Sequence, residues 1–116
     1  MDLIGMLRSW LGMADHSEVA AEIAARCRTA AWERVRQRAQ GMSLAEARGY
    51  VRVRVAHLVR EEVDVAIRQT SNLNATSRTH LEEMAMEGVL RQAILDLLNA
   101  RKITHAAARE SVARAA

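Results

Sequence analysis

The feature that most constrains the fold of this chain is a helix-start signal that occurs three times. "DHSE" at residues 15–18, "SLAE" at 43–46 and "THLE" at 79–82 each place a capping side chain three positions before a glutamate. In such a capping box, the two side chains satisfy backbone N–H groups in the first turn of a helix. Because the intervals between the boxes match helix lengths, they predict an all-α fold.

Composition supports a helical bundle. The 116 residues include no proline, no phenylalanine and only five glycines, and half of them are apolar. Proline and glycine are the residues that break helices, so their scarcity favours long helices. We expect an oligomeric all-α bundle of four to five helices, with a long central helix and a C-terminal helical hairpin. Residues 1–14 would form an N-terminal amphipathic helix, and residues 15–116 the helical domain.

The stretch "YVRVRVAHLV", residues 50–59, alternates valine with arginine as a half-buried strand would. Its neighbours are helical in period, however, and no second clear strand exists to pair with it. On a helical wheel Val51 and Val55 share one face, whereas Val53 points to the opposite side. We therefore interpret the stretch as part of a helix, from about residue 43 to 70, that carries two apolar stripes.

The second apolar stripe of this helix is a candidate self-association surface. A helix with two apolar stripes must be covered on two sides, and a chain of this length has few helices to do so. The stripe consists of Val53, Ala56, Arg60, Val63 and Ile67. We expect it to contact a second copy of the chain. In the alternative interpretation Arg60 extends to solvent and the stripe packs within one chain.

The first residues of the chain carry an apolar stripe that includes Leu3, Leu7 and Trp10. Such a stripe could dock into the groove of a protein partner, lie at a membrane surface or pack on its own domain. Arg8 is the only basic residue near it, so attraction to anionic lipids would be weak. A protein partner is therefore expected in preference to a membrane.

Charge is distributed in bands along the chain, whose formal net charge is +3. The net charge is −3 over residues 1–25, +6 over 26–54, −3 over 55–90 and +3 over the remainder. Oppositely charged bands can pair and thereby direct assembly. Alternatively, the basic band could bind the phosphates of nucleic acid. The arginines that would do so are Arg34, Arg38, Arg48, Arg52 and Arg54. With one lysine and no interleaved aromatics, the chain favours assembly.

The C-terminal residues "AILDLLNARKITHAAARESVARA" predict a helix, a turn near residues 100–104 and a last helix capped by Thr104. This stretch resembles the short "LLxxGKIT" helical hairpins that end many bacterial proteins, some of which are oligomerisation modules. It departs from that pattern at Arg101, where glycine is usual. The resemblance implies a small helical hairpin.

Cys27 is the only cysteine, which excludes a disulfide within one chain and favours a reduced, cytoplasmic compartment. Arg26 and Arg28 flank it and could lower its pKa. A small residue that packs between helices is the preferred interpretation.

No pattern of catalytic residues stands out in the sequence. His57 with Glu61 and His80 with Glu83 have helical spacing, but they lack the Glu-x-x-His order of di-iron bundles. Neither a G-x-S-x-G motif nor a glycine-rich phosphate loop is present. We therefore predict a non-enzymatic bacterial protein without metal or cofactor. It would act as an adaptor, structural or regulatory subunit, with nucleic-acid binding as the alternative function.

Overall fold

The computed structural model describes residues 16–69 and 75–115, which form three α-helices. Helix α1 spans His16–Ala39, α2 spans Leu44–Gln69 and α3 spans Ala75–Ala115. No strand occurs in these ranges, so the all-helical prediction is confirmed. The predicted number of four to five helices is not matched, because the described part of the chain has three.

The capping box at the start of α2 forms as predicted. The backbone N–H of Glu46 donates to Oγ of Ser43 at 3.2 Å, and the N–H of Ser43 donates to the Glu46 carboxylate at 3.4 Å. These two bonds satisfy donors that have no partner inside the helix. The valine–arginine stretch follows within α2, and it is helical, as predicted.

The C-terminal hairpin prediction is wrong, because α3 continues without interruption through residues 100–104. The Thr104 hydroxyl donates to the carbonyl of Ala100 at 2.9 Å, so it bonds back into the same helix instead of capping a new one. No glycine or proline interrupts this stretch, and its alanines and Arg101 are good helix formers. The start of α3 also precedes the predicted cap at Thr79, since the helix begins at Ala75.

Arg101 ties α3 to the end of α1. Its Nη2 lies 3.2 Å from the carbonyl oxygen of Ala39 and 3.2 Å from that of Gln40, and it also bonds to the carbonyl of Met42. The last carbonyls of a helix lack intrahelical partners and carry partial negative charge. A guanidinium group supplies both a hydrogen-bond donor and a positive charge. In the described residues no glycine with positive φ caps a helix. Arg101 therefore stands in for a glycine cap at the end of α1.

α1 and α3 run in the same direction, and their packing is the most extensive in the bundle. The rings of His16 and His80 lie 5.7 Å apart near one end of the pair. Further along, Nη2 of Arg28 lies 2.9 Å from the Asp96 carboxylate. α2 runs antiparallel to both, and its Arg52 reaches Glu87 of α3 at 3.0 Å. The chain thus folds up, down and up again.

The core is built from rows of residues spaced by four on each helix. Such rows are the ridges that interdigitate when helices pack in the 4–4 class, whereas a coiled-coil seam alternates steps of three and four. The rows are Cys27, Ala31, Val35 and Ala39 on α1; Ala47, Val51, Val55, Val59 and Val63 on α2; and Leu81, Ala85, Val89, Ala93 and Leu97 on α3. No polar or charged side chain is buried among the described residues.

α3 is much longer than the other two helices, so the predicted long central helix is not the longest. α3 has 41 residues against 26 in α2. At 1.5 Å per residue α3 is about 62 Å long, so it extends well past the turn that joins α1 to α2. Residues 102–115, here named the α3 tail, are all exposed.

Candidate interaction surfaces

The predicted self-association stripe of α2 is divided by the fold. Val53 is 77% exposed, and Arg60 is also exposed, whereas Val63 is fully buried in the core of the same copy. Ala56 and Ile67 are half-buried and pack against that core. Within one copy, therefore, α2 is covered by its buried row and by the half-buried residues beside that row, and the exposed part of the stripe centres on Val53.

The rotation of the core row around α2 explains why Val63 is buried although it belongs to the stripe. A row of residues spaced by four rotates about 40° around the helix axis at each step, because a turn contains 3.6 residues. Over the four steps from Ala47 to Val63 the core row therefore rotates by about 160°. It lies opposite Val53 at Val51 and Val55 and reaches the second stripe at Val63. The two stripes recognised in the sequence are distinct near Val53 and merge at the end of α2.

Two arginines of the predicted nucleic-acid set are held by a carboxylate. Arg48 Nη2 lies 2.9 and 2.7 Å from the two oxygens of Glu87, and Arg52 Nη2 lies 3.0 Å from one of them. The hydrogen bond from Arg48 and the charges of Arg48, Arg52 and Arg91 lower the pKa of Glu87. Arg48 and Arg52 thus join α2 to α3 instead of presenting unpaired charge.

The other three arginines of that set lie along one edge of the α1–α2 pair. Nη1 of Arg26 lies 4.0 Å from the Glu62 carboxylate, so these parts of the two helices lie side by side. Arg34, Arg38 and Arg54 resemble Arg26 and Glu62 in standing one position before a buried residue of the core rows, which places them on the same side of those rows. All three are exposed. Their charge makes this edge basic.

The fold collects the charge bands of the sequence into two ends. Residues 16–27, 61–69 and 75–91 contain eight acidic and four basic side chains. They lie towards one end of the bundle, and Glu87 marks the boundary, since it contacts Arg48 and Arg52 of the other part. Residues 28–60 and 92–115 contain four acidic and twelve basic side chains. Because α2 runs antiparallel, its basic beginning lies beside the basic end of α1. We name these parts the acidic end and the basic end.

A groove between α1 and α3 opens on the acidic end, with a volume of about 470 Å³. Its lining includes Ser17, Ala20, Ala21, His80, Glu83 and Gly88. Small residues at positions 17, 20, 21 and 88 leave space for the α1–α3 groove, which the larger Met84, Glu87 and Arg91 also line. Close approach of the helices requires a glycine at position 88. A Cβ atom built there would lie 2.9 Å from the Cβ of Ala24. The sequence signal for this groove is the pairing of "AAEIAA" with an isolated glycine in a helical stretch.

The α3 tail was missed by sequence reasoning, which expected the last residues to fold back. Its Ile103 and Val112 are 72% and 71% exposed. The residues that predict a projecting helix are the alanines 106–108 together with the absence of glycine after Leu98. A turn at Arg101 would need a residue that leaves the helix easily, and arginine does not.

Cys27 lies in the core of the bundle. Cys27 is 1% exposed, and burial together with the nearby charge of Glu62 raises its pKa to about 11, although Arg34 acts in the opposite direction. The predicted lowering of the pKa by Arg26 and Arg28 is therefore wrong. Cys27 packs as a small core residue.

The candidate metal pairs are separate. His57 Nε2 lies 2.7 Å from the Glu61 carboxylate on the exposed side of α2, whereas His80 stacks edge to face against His16. The described ranges hold no group of three or more His, Cys, Asp or Glu side chains that could bind a metal ion. None of their helices combines the length and apolar character needed to cross a bilayer.

The predicted docking residues Leu3, Leu7 and Trp10 belong to segment 1–14, which lies outside the described residues. Their role in binding a partner stays a prediction. Comparison of the chain with protein-family models, with curated proteins and with solved structures finds no match.

Proposed function

We propose that this protein is a non-enzymatic helical assembly protein that forms homo-oligomers and serves as an adaptor, structural or regulatory subunit in the bacterial cytoplasm. The observation that supports this proposal is the α3 tail, a helical segment exposed on every side. Most of the stability of a helix in a protein comes from packing, so an exposed extension of this kind frays in water when nothing covers it. A second protein surface that covers the tail would stabilise it.

The exposed part of the α2 stripe offers a second contact region. Val53 projects from α2 with 77% exposure, and Gly49, one turn earlier, has no neighbouring atom within 4 Å of a built Cβ. A flat surface around one apolar side chain suits packing against another helix.

Light scattering during size-exclusion chromatography tests the proposal. We expect more than one subunit per particle at micromolar concentrations. Val53→Glu and the double variant Ile103→Glu/Val112→Glu should each reduce the average mass if these side chains are buried on association. Gln37→Glu, on the exposed side of α1, adds the same charge elsewhere and should leave the mass unchanged. A monomer at all concentrations would reject the proposal.

The alternative function is nucleic-acid binding through the basic edge. It is favoured by the exposure of Arg34, Arg38 and Arg54, and it draws no support from Arg48 and Arg52, which contact Glu87. Fluorescence anisotropy with mixed duplex DNA should show binding at low salt that weakens steeply as salt rises.

A triple variant tests whether DNA binds at the three exposed arginines of the basic edge. Replacing Arg34, Arg38 and Arg54 by glutamine should weaken DNA binding strongly. Arg36→Gln removes a charge that already pairs with Glu33 at 3.6 Å and should have a small effect. Absence of DNA binding at low salt would exclude the alternative.

A further inference from the structure

We propose that the α3 tail of one copy docks into the α1–α3 groove of a second copy, so that the copies associate head to tail. This inference rests on the self-association proposed above and names the two surfaces that meet. A single contact between copies would cover both the exposed α3 tail and the open α1–α3 groove.

The tail presents a face with small side chains and positive charge. Lys102, Ala106, Arg109 and Ala113 are spaced by four, three and four, so they lie on one side of the helix. All four are exposed. The two alanines allow another helix to come close to this face. Lys102 and Arg109 lie on the same face and can pair with acidic side chains of that helix.

The groove has the complementary character. Ala20, Ala21 and Gly88 leave room in the groove, which Glu83, Glu87 and Arg91 also line. Because Glu87 is paired with Arg48 and Arg52, the exposed Glu83 is the carboxylate that would meet a cation of the tail. It belongs to the acidic end, where acidic side chains outnumber basic ones by eight to four in the described residues. A helix with alanines and cations on one face fits this groove by both size and charge.

The tail cannot reach the groove of its own copy. Gly88 and Arg109 belong to the same continuous helix and are 21 residues apart, or about 32 Å at 1.5 Å per residue. Bringing them together would require α3 to break. The contact must therefore form between two copies.

The N-terminal segment of the same chain is a poorer occupant on grounds of charge. Residues 1–15 contain Asp2, Arg8 and Asp15, which give a net charge of −1. The acidic end would repel this segment and attract the tail, whose Lys102, Arg109 and Arg114 outnumber Glu110.

A head-to-tail contact uses two different surfaces, so each copy that joins leaves one tail and one groove available. Such heterologous contacts generate rings or open filaments instead of closed dimers. We therefore expect the average mass to increase with protein concentration beyond two subunits. Raising NaCl from about 50 mM to about 500 mM should weaken association at least about tenfold, because salt screens exposed charges.

Paired charge reversals test the contact. The tail variant carries Lys102→Glu and Arg109→Glu, and the groove variant carries Glu83→Arg, which lines the groove. Each variant alone places like charges on both surfaces and should assemble at least about tenfold more weakly than the unmodified chain. Mixed in equal amounts they restore opposite charges, and assembly should return. Circular dichroism verifies that both variants keep their helix content.

The control carries Arg34→Glu and Arg36→Glu, which change net charge as much as the tail variant does but lie outside the tail. It should assemble normally at moderate salt. If the tail and groove variants each assemble like the unmodified chain, or if the mixture fails to recover, this inference is overturned. In that case loss of assembly in Val53→Glu would still support the proposed function. An unmodified chain that stays monomeric at low salt would overturn both.

Discussion

A Cβ atom on Gly88 would lie 2.9 Å from the Cβ of Ala24, closer than two such carbon atoms approach in folded proteins. The contact joins α3 to α1 in the most extensive helix pair of the bundle. Ala24 cannot rotate its Cβ away, since that atom is fixed to the backbone. Position 88 must therefore lack a side chain for the two helices to keep their distance.

Gly88→Ala should destabilise the protein by about 1–3 kcal/mol, because the overpacking cost exceeds the gain in helix propensity. Gly49 is the matched control, since a Cβ there meets nothing within 4 Å. Gly49→Ala should stabilise by up to about 1 kcal/mol. Urea unfolding followed by circular dichroism measures both. Equal stabilisation by the two substitutions would show that the helices are not in close contact at Gly88.

Truncation of the two valines of "VRV" at residues 53–55 to alanine should change the free energy of unfolding by very different amounts. Val55 is fully buried and Val53 is 77% exposed. Val55→Ala should cost about 2 kcal/mol through lost burial and the cavity that remains. Val53→Ala should change the free energy of unfolding by less than about 0.5 kcal/mol, since alanine favours the helix. Urea unfolding in high salt compares them, and equal large losses would indicate a strand with both valines on one buried face.

Arg101→Ala should destabilise the protein by about 1–2 kcal/mol, because it leaves carbonyls of Ala39, Gln40 and Met42 without their charged donor. Thermal unfolding measures the effect. As a control, Arg54→Ala removes an equal charge from an exposed side chain of α2 and should be nearly neutral. Arg101→Lys should recover part of the loss, as lysine keeps the charge but not the planar fork of donors. A neutral Arg101→Ala would mean that water satisfies these carbonyls equally well.

The interaction of Glu87 with Arg48 and Arg52 should make stability depend on pH. Its pKa is lowered in the folded state, so the folded protein favours the ionised carboxylate. The stabilisation is present near neutral pH and is lost as pH falls through the folded-state pKa. Glu87→Gln should therefore reduce stability near pH 7 and have a smaller effect near about pH 3. Glu110→Gln, in the α3 tail, serves as a control with the same charge change. An effect of Glu87→Gln that does not vary with pH would exclude this role.

Cys27 should react slowly with alkylating agents in the native protein. With a pKa of about 11, only about one thiol in a thousand is ionised at pH 8. Burial at 1% exposure hinders access further. We expect iodoacetamide labelling, followed by mass spectrometry, to be at least about a hundredfold slower in buffer than in concentrated urea. Similar rates under the two conditions would indicate that the core opens readily around Cys27.

Local patterns determined the helical character of the chain. The Ser43–Glu46 box depends on residues three positions apart, so it starts α2 without reference to the rest of the fold. The separation of Val53 from Val51 and Val55 follows likewise from the 100° rotation per residue. Both features were predictable because the helix supplies its own geometry.

Tertiary packing decided the features that depend on distant residues. The helices pack along rows spaced by four, and such a row rotates around the axis of α2. The buried face therefore changes along the helix, and Val63 is buried although it belongs to the same stripe as the exposed Val53. Arg101 finds its acceptors in residues 39–42, about sixty positions away, and helps α3 to continue where a turn was expected. The antiparallel course of α2 collects alternating charge bands into one acidic and one basic end. None of these outcomes is encoded in a local period, because each requires knowing which helix lies beside which.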